Sequence, residues 1–556
     1  MESARTFLWL TFSALCVFLY IEWSNQDTAL GYDSNQESPA PRGLEQTLNT
    51  SDESSESFQE NLPSINSGEL VAKTNNIRER SETTTISNNV LSITVDSKGA
   101  DIIGAKLLKY YPSKNEKDNN IGLMYVNDPL YEFHRLQSGL LSTSGKQSST
   151  HIENYSLSSR GRDKLSFVWF SEDGTKVTKT IKLNPDSYLV EVTFLIENMS
   201  EQTESYVPYY QLVKDNVEVE RSMFDVESYS FDGGIIYDGD SYEKQYADDL
   251  IDAPYKKTHT NGWFANISAN IRHHFVVAVL PPMGVEHRYE SEHDEAANLN
   301  KVTAISNSNI TAGPRQKAEV GFGIFIGPKL QDELTKARDG LEVSVDYGRL
   351  SFLAKPMFWA LNKSHSFLGN WGLAIIFVTL MIKVIFYRLQ ESSSRSMAKM
   401  RELAPRLKAL NERFGDDKTA LGQAQMELYK REKVNPMAGC LPLLIQIPFF
   451  IAFYWVLLES VEIRQAPFYL WLDDLSSRDP YFVLPLLMGV VMFFQQKANP
   501  APADPVQEKV FMFMPIMFTL LFAWFPSGLV LYWVTNSLLQ FAQQWNVNRK
   551  MAAEKN

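Results

Sequence analysis

Residues 377–388 read FVTLMIKVIFYR, an apolar run broken by a single cation, Lys383. A cation left in hydrocarbon costs about 2.5–3.5 kcal/mol on insertion scales, so this amine must reach the headgroups or sit in water. Snorkelling is open to it, because Arg388 marks a charged boundary only about one and a half helical turns further on. A wet cavity is open too, because other apolar segments carry polar residues at helical spacing. Thr379 lies one turn before Lys383, Gln446 interrupts a second apolar run, and Tyr532, Asn536, Gln540 and Gln543 form a stripe in the last one. Such stripes also serve hydrogen bonding between helices. Yet the five C-terminal apolar segments hold no carboxylate to neutralise Lys383. The chemistry on offer is attraction of a negative group into a solvated groove, with no bond made or broken.

Motifs for covalent chemistry are missing. The chain has no GxxxxGK[ST] phosphate loop and no HExxH zinc helix, and its five apolar segments lack the His or Asp of an intramembrane protease; His365 sits at an outer edge. Within HRYESEHDE, residues 287–295, His287, His293 and Asp294 have metal-ligand chemistry, but a solvated acidic loop is the stronger reading. The two cysteines, Cys16 and Cys440, form no CxxC pair. No metal, cofactor or catalytic residue is expected.

The elements that would position Lys383 follow from charge and hydropathy. Residues 346–556 carry 22 Lys/Arg and 16 Asp/Glu, a net of +6, which leaves −19 for the first 345 residues of a chain whose total is −13. Residues 1–24 read as an uncleaved N-terminal transmembrane anchor, since the apolar stretch Phe7 to Ile21 ends without a small-x-small cleavage site. Residues 25–83 are Ser, Asn, Glu, Gln and Thr with scattered Pro, a flexible tether. Residues 84–343 alternate with period two. Tyr188, Val190, Val192, Phe194 and Ile196 share one face, and KLSFVWFSEDGTKVTKTIKL gives two strands about an Asp173-Gly174 turn, so a large all-β sandwich is expected. Residues 344–366 place Tyr347, Leu350, Leu353, Ala354, Met357, Phe358 and Leu361 at helical spacing, as in a helix lying in the membrane surface or a core helix of the sandwich.

Five apolar segments follow, at about 367–387, 441–458, 481–494, 510–525 and 527–541. The last two meet in a turn at Trp524-Phe525-Pro526-Ser527-Gly528. With the anchor they make a six-span α-helical bundle. The loop from Arg388 to Lys433 carries 11 Lys/Arg against 7 Asp/Glu, whereas Glu459 to Pro480 has only Arg464 and Arg478. The first loop is therefore cytoplasmic and the sandwich external, with both termini inside. Met397, Met400, Leu403, Leu407, Leu410 and Phe414 form a helical stripe before the turn Gly415-Asp416-Asp417, so residues 388–433 read as a helical hairpin. Residues 546–556 remain as a short tail.

The C-terminal third resembles the YidC family of membrane-protein insertases, of the Gram-negative type. The likeness rests on VDYGRL at 345, GNWGLAII at 369, SMAKMREL at 396, VNPMAGCLPLLIQIPFFIAFYWVL at 434, IRQAPFYLWLDDLS at 463, DPYFVLPLLMGVVMFFQQK at 479 and FPSGLVLYWVTN at 525. The sandwich resembles the family's periplasmic domain at residues 90–111, 262–282 and 325–329. The resemblance implies a five-helix core, residues 367–545, in a bacterial inner membrane, with a hydrophilic groove open to cytoplasm and lipid. In it a positive charge falls on Lys383, where the family usually has arginine, and Arg388 stands where it usually has proline. Lysine keeps the charge and loses the planar fork. Substrate contacts are implied at Thr379 and Tyr532, and Gln446, Trp524 and Asn536 are candidates for the same groove. A recruiting role is implied for the hairpin, with Met397, Met400 and Arg401 as its candidates. Implied partners are nascent membrane proteins, the Sec translocon, ribosome–nascent chain complexes and the lipid bilayer, with no specific nucleic acid; the implied activity is that of an insertase and chaperone. A solute transporter would also use an intramembrane cation, but predicts paired repeats with broken helices, which the sequence lacks. The family domain also resembles sugar-processing sandwiches, a weak warrant for a carbohydrate role.

Overall fold

The computed structural model describes residues 82–126, 133–217, 230–414, 417–432, 434, 441–498 and 505–553. The N-terminal anchor and nearly all of the tether lie outside the described residues.

Alternating patterns produce two antiparallel sheets. The first has ten strands and runs from Thr83–Ser87 through Leu91–Asp96, Ile102–Leu107, Ile121–Val126, Phe133–Ser142, Glu204–Asp215, Leu299–Ser306 and Glu286–Asp294 to Tyr255–Thr260, with Ile310–Ala312 added beside Glu204–Asp215. The second has nine, from Tyr242–Gln245 through Gly233–Tyr237, Trp263–Ile267, Phe275–Leu280, Lys317–Pro328, Leu189–Asn198, Thr175–Leu183 and Lys164–Phe170 to Ser156–Arg160. Val190, Val192, Phe194 and Ile196 are buried on one face of Leu189–Asn198, as period two requires. The acidic stretch at 287–295 departs from the expected loop. It is strand Glu286–Asp294, paired along its whole length with Leu299–Ser306. Its polar residues are used inside the sheet: His293 Nδ1 meets Asn300 Oδ1 at 2.7 Å, and Asp294 pairs with Lys301 at 3.3 Å. No group of three metal-ligating side chains occurs among the described residues.

Two short helices, α1 (Ala247–Asp252) and α2 (Gln331–Ala337), decorate the sandwich. Eight more follow among the described residues: α3 (Ser351–Leu368), α4 (Trp371–Ile385), α5 (Tyr387–Phe414), α6 (Lys418–Arg431), α7 (Leu441–Glu459), α8 (Val483–Ala498), α9 (Pro505–Phe522) and α10 (Ser527–Ala553). The expected stripe on α3 is real, but it faces protein. Ala354, Met357, Phe358 and Leu361 are buried against α4 and α7, while Phe352, Trp359 and Phe367 on the other side are exposed. α10 absorbs most of the expected tail, continuing in helix to Ala553.

No single helix among the described residues is long and apolar enough to cross a membrane alone. α4 and α5 pass that test only together, bent by 70° at Phe386. The break occurs although Arg388 holds the place of a proline. Phe386 leaves the helical region at φ −91° and ψ 10°, and the Gln543 amide of α10 donates to the Tyr387 carbonyl at 3.1 Å. In the hairpin, Leu403 and Leu407 of α5 pack on Leu428 of α6, and Arg406 pairs with Glu432 at 2.8 Å. Asp417 caps α6 by accepting from the Thr419 and Ala420 N–H groups.

Sandwich and helices share one continuous apolar core. Their seam is polar and specific. Lys329, just past the last long strand, pairs with Glu459 at the end of α7 at 3.4 Å, both buried. His273 Nε2 donates to the Leu458 carbonyl at 3.0 Å, which meets one orphan acceptor of that helix terminus. Arg464 Nη2 donates to the Tyr111 and Pro112 carbonyls at 2.6 and 2.9 Å.

Two outcomes follow from these buried groups. Removing one partner of a buried ion pair costs about 3–5 kcal/mol, so Lys329→Met should loosen the seam, read as faster proteolysis between residues 329 and 350 and a lower unfolding midpoint. Burial pushes the His134 imidazole down to about 3 and that of His287 down to about 4, from an ordinary 6.5. Depressed folded values mean that the neutral rings favour the fold above pH 6.5 and that this support is lost as pH falls toward 4. Unfolding free energy should therefore drop by about 2 kcal/mol per histidine between pH 7 and pH 5; a flat denaturation profile over that window would contradict the neutral assignment.

Candidate functional site

Lys383 sits on the protein-facing side of α4, in line with Ile375 and Thr379, while Phe377, Leu380, Met381, Val384 and Ile385 face outward. Asn370 starts this helix by accepting from the Leu373 N–H at 3.1 Å. Lys383 is therefore about 20 Å along the helix from that end and three residues from the bend at Phe386. Its side chain does not extend to solvent: the residue is only 6% exposed. The amine has no hydrogen-bond partner among the described residues.

Beside it is a small hollow of about 20 Å³, lined by Lys383, Phe386 and Gln390 at the α4–α5 bend, by Gln446 and Phe449 of α7, and by Tyr532 and Asn536 of α10. Three of the buried polar atoms here, Lys383 Nζ, Gln390 Oε1 and Gln446 Nε2, lack a protein partner among the described residues. Buried polar groups left this way are uncommon and mark places where water or a ligand completes the bonding.

An aromatic layer closes the sandwich side. Two turns along α7 from Gln446, Phe453 stacks on Tyr532 with ring centroids 4.6 Å apart, and Phe450 meets Trp533 at 4.9 Å. Phe522 joins Trp533 at 5.3 Å. At the opposite end the hollow reaches the start of α5, where Phe386 packs edge-on against Phe449 at 5.4 Å.

Of the six groove candidates, four converge on this hollow: Lys383, Gln446, Tyr532 and Asn536. Thr379 lies on the same helix face but is fully engaged, its hydroxyl donating to the Ile375 carbonyl at 2.7 Å. Trp524 is on the α9–α10 turn, far along α10 from Asn536; the residues after it are tied to the loop before α8 by Ser527 N–H to the Ser477 carbonyl and by Gly528 N–H to that of Leu475. In the hairpin, Met400 packs on the Leu403–Leu407–Leu428 cluster, Met397 is half-buried and Arg401 is exposed. Gln390 was missing from the expected set. Its signal is the seven-residue spacing from Lys383, hidden because it falls in the segment assigned to the cytoplasmic hairpin.

Residues 363–555 match the 60Kd inner membrane protein family, and residues 83–360 match the YidC periplasmic domain family. The membrane protein insertase YidC of Nitrosococcus oceani is 39% identical, with all of both chains covered. That of Pseudomonas fluorescens strain Pf0-1 is 38% identical over 100% of this chain and 99% of its own. A crystal structure of an active YidC insertase aligns over 83% of this chain and 92% of its own, with TM-score 0.37 and 20% identity, too distant to add to the sequence matches. A galactose mutarotase related enzyme from Lactobacillus acidophilus covers 44% of this chain at 10% identity and TM-score 0.32, which transfers no sugar chemistry. Both halves of the chain match at full length, and it belongs to the YidC family of membrane protein insertases, proteins of the inner membrane with a periplasmic domain.

Proposed function

We propose that this chain inserts and folds newly made inner-membrane proteins by drawing their polar flanks into the hollow beside Lys383. The observation that carries the reading is the convergence of three buried, partnerless polar atoms from α4, α5 and α7 on one space. Such a space takes up water, which lets the amine stay charged inside the inner leaflet. A hydrophilic, often acidic flank of an incoming span then meets solvent and a fixed cation instead of hydrocarbon, and the dry part of its crossing is shortened. The aromatic layer of Phe453, Tyr532 and Trp533 prevents the wet space from becoming a pore.

Helix length contributes separately. α4 has 15 residues, or about 22 Å at 1.5 Å each, against a hydrocarbon core of about 30 Å. Short spans thin the bilayer around them. α4, α7, α8, α9 and α10 with the N-terminal anchor make six crossings on this reading, with both termini in the cytoplasm. Apolar residues exposed on α8 and α9, among them Leu486, Val490, Phe513 and Met517, offer the arriving helix a surface on its way into lipid. Release into lipid needs no nucleotide, because burial of the new apolar span and the membrane potential both favour it. The α5–α6 hairpin, with Met397, Met400 and Arg401, receives substrates from ribosomes, and cooperation with the Sec translocon extends the substrate range. Family resemblance supports these two roles.

A charge contact near 4 Å is worth about 1–4 kcal/mol between bulk water and a protein surface, so Lys383→Ala should lower insertion of short substrates with acidic outer flanks roughly tenfold. Lys383→Glu should do worse, and Lys383→Arg should be tolerated. Reconstituted vesicles and protease protection of the translocated flank give the readout; equal insertion by the alanine protein would remove the cation from the mechanism. Gln390→Leu with Gln446→Leu tests the water. Replacing partnerless polar groups with apolar ones should leave thermal stability unchanged or raised while insertion falls. A stable double variant that inserts normally would refute a hydrated route.

A further inference from the structure

Residues 460–482 join α7 to α8 on the sandwich side of the bundle. In this segment Leu470 and Phe482 hold left-handed backbone conformations, with φ of 61° and 56°. Bulky side chains rarely adopt this geometry, which β-carbon sterics leave mainly to Gly and Asn. Both residues are also exposed, Leu470 at 87% and Phe482 at 42%, beside exposed Tyr469 and Tyr481.

The segment is held firmly around them. Asp479 accepts from Trp471 Nε1 at 3.0 Å and from the Tyr481 and Leu484 N–H groups at 3.0 and 2.7 Å. Asp474 accepts from the Gln465 and Ser476 N–H groups at 3.0 and 2.9 Å, and its carbonyl takes the Ser527 hydroxyl at 2.9 Å. Strain that the surroundings maintain in this way points to a use for the strained residues. In water, presenting large apolar groups on such a frame gains nothing.

Their position says what they meet. The Asn370 amide, at the start of α4, donates to the Pro467 carbonyl at 3.3 Å, and the Phe468 ring occupies the space over Gly372 that a β-carbon would need. Tyr469 and Leu470 thus stand beside the sandwich-side end of α4. Tyr481 and Phe482 lead directly into α8, whose Leu486, Leu487 and Val490 are exposed. Both tips continue the outward apolar surface of helices that lie in a membrane. Asp473, exposed between the tips, is held back toward the sandwich, where Lys114 donates to its carbonyl.

We infer that Leu470 and Phe482, with Tyr469 and Tyr481, form a rigid two-pronged anchor seated in the outer-leaflet lipid at the acyl–headgroup boundary. It fixes the depth of the outer ends of α4 and α8. Tyrosine suits that level because its ring is apolar and its hydroxyl polar.

The test uses full-length protein carrying Cys16→Ser and Cys440→Ser, with a single environment-sensitive fluorophore attached after Leu470→Cys, Tyr481→Cys or, on the sandwich, Met283→Cys. In vesicles of phosphatidylethanolamine and phosphatidylglycerol, labels at 470 and 481 should emit to the blue of the label at 283. Lipids brominated near the headgroup end of the chain should quench them several-fold and leave the 283 label unchanged. Water-like emission at both 470 and 481 overturns the anchor. So does blue-shifted emission without bromine quenching, which would place the prongs against protein. Tyr481 is outside the left-handed region, so its label reports even where cysteine at 470 disturbs the loop.

Discussion

A charge without a counter-charge governs the helical half of this protein. Lys383 is buried, faces the bundle rather than lipid, and finds no partner among the described residues. Leaving it dry would cost more than any single packing contact nearby returns. Its surroundings are arranged accordingly. The helix ends two residues later, the chain turns by 70°, and Gln390, Gln446, Tyr532 and Asn536 border the space that results. Pure apolar packing would close that space and strand the amine. The hollow and the cation therefore require each other.

Much of this was legible in the sequence. Period-two alternation gave the buried faces of the sandwich, and helical spacing of Tyr532 and Asn536 put both on one side of α10. The absence of a carboxylate in the apolar runs marked Lys383 as a cation that no nearby span neutralises. Other features depend on contacts that no linear pattern encodes. The α3 stripe has the same periodicity whether it meets a membrane surface, a sheet or another helix, and only the fold directs it to α4 and α7. Acidic residues at 287–295 look solvated in sequence, yet their strand is paired along its length, with His287 and Glu290 buried. The bend at Phe386 lacks its expected proline; the Gln543 side-chain amide, 156 residues away, donates to the Tyr387 carbonyl beside it.

The seam between sandwich and helices changes how the external half is viewed. α7 carries Gln446 and Phe449 on the hollow and ends at Leu458 and Glu459, which His273 and Lys329 of the sandwich hold. One helix thus connects a folded external domain to the polar space at its other end. Its register relative to α4 and α10 is set at both ends, by hydrogen bonds and an ion pair outside and by aromatic stacking within.

The 70° corner has a mechanical consequence. α5 leaves it as a 28-residue arm, the long helix of the hairpin, while the other side of the corner carries Lys383. With the Gln543 amide of α10 and the Phe386–Phe449 ring contact bracing the joint, a sideways load on the arm is passed to the end of α4 that carries the amine. The molecule has the layout of a bell crank: whatever docks at the far tip of the hairpin has leverage over the electrostatics of the hollow.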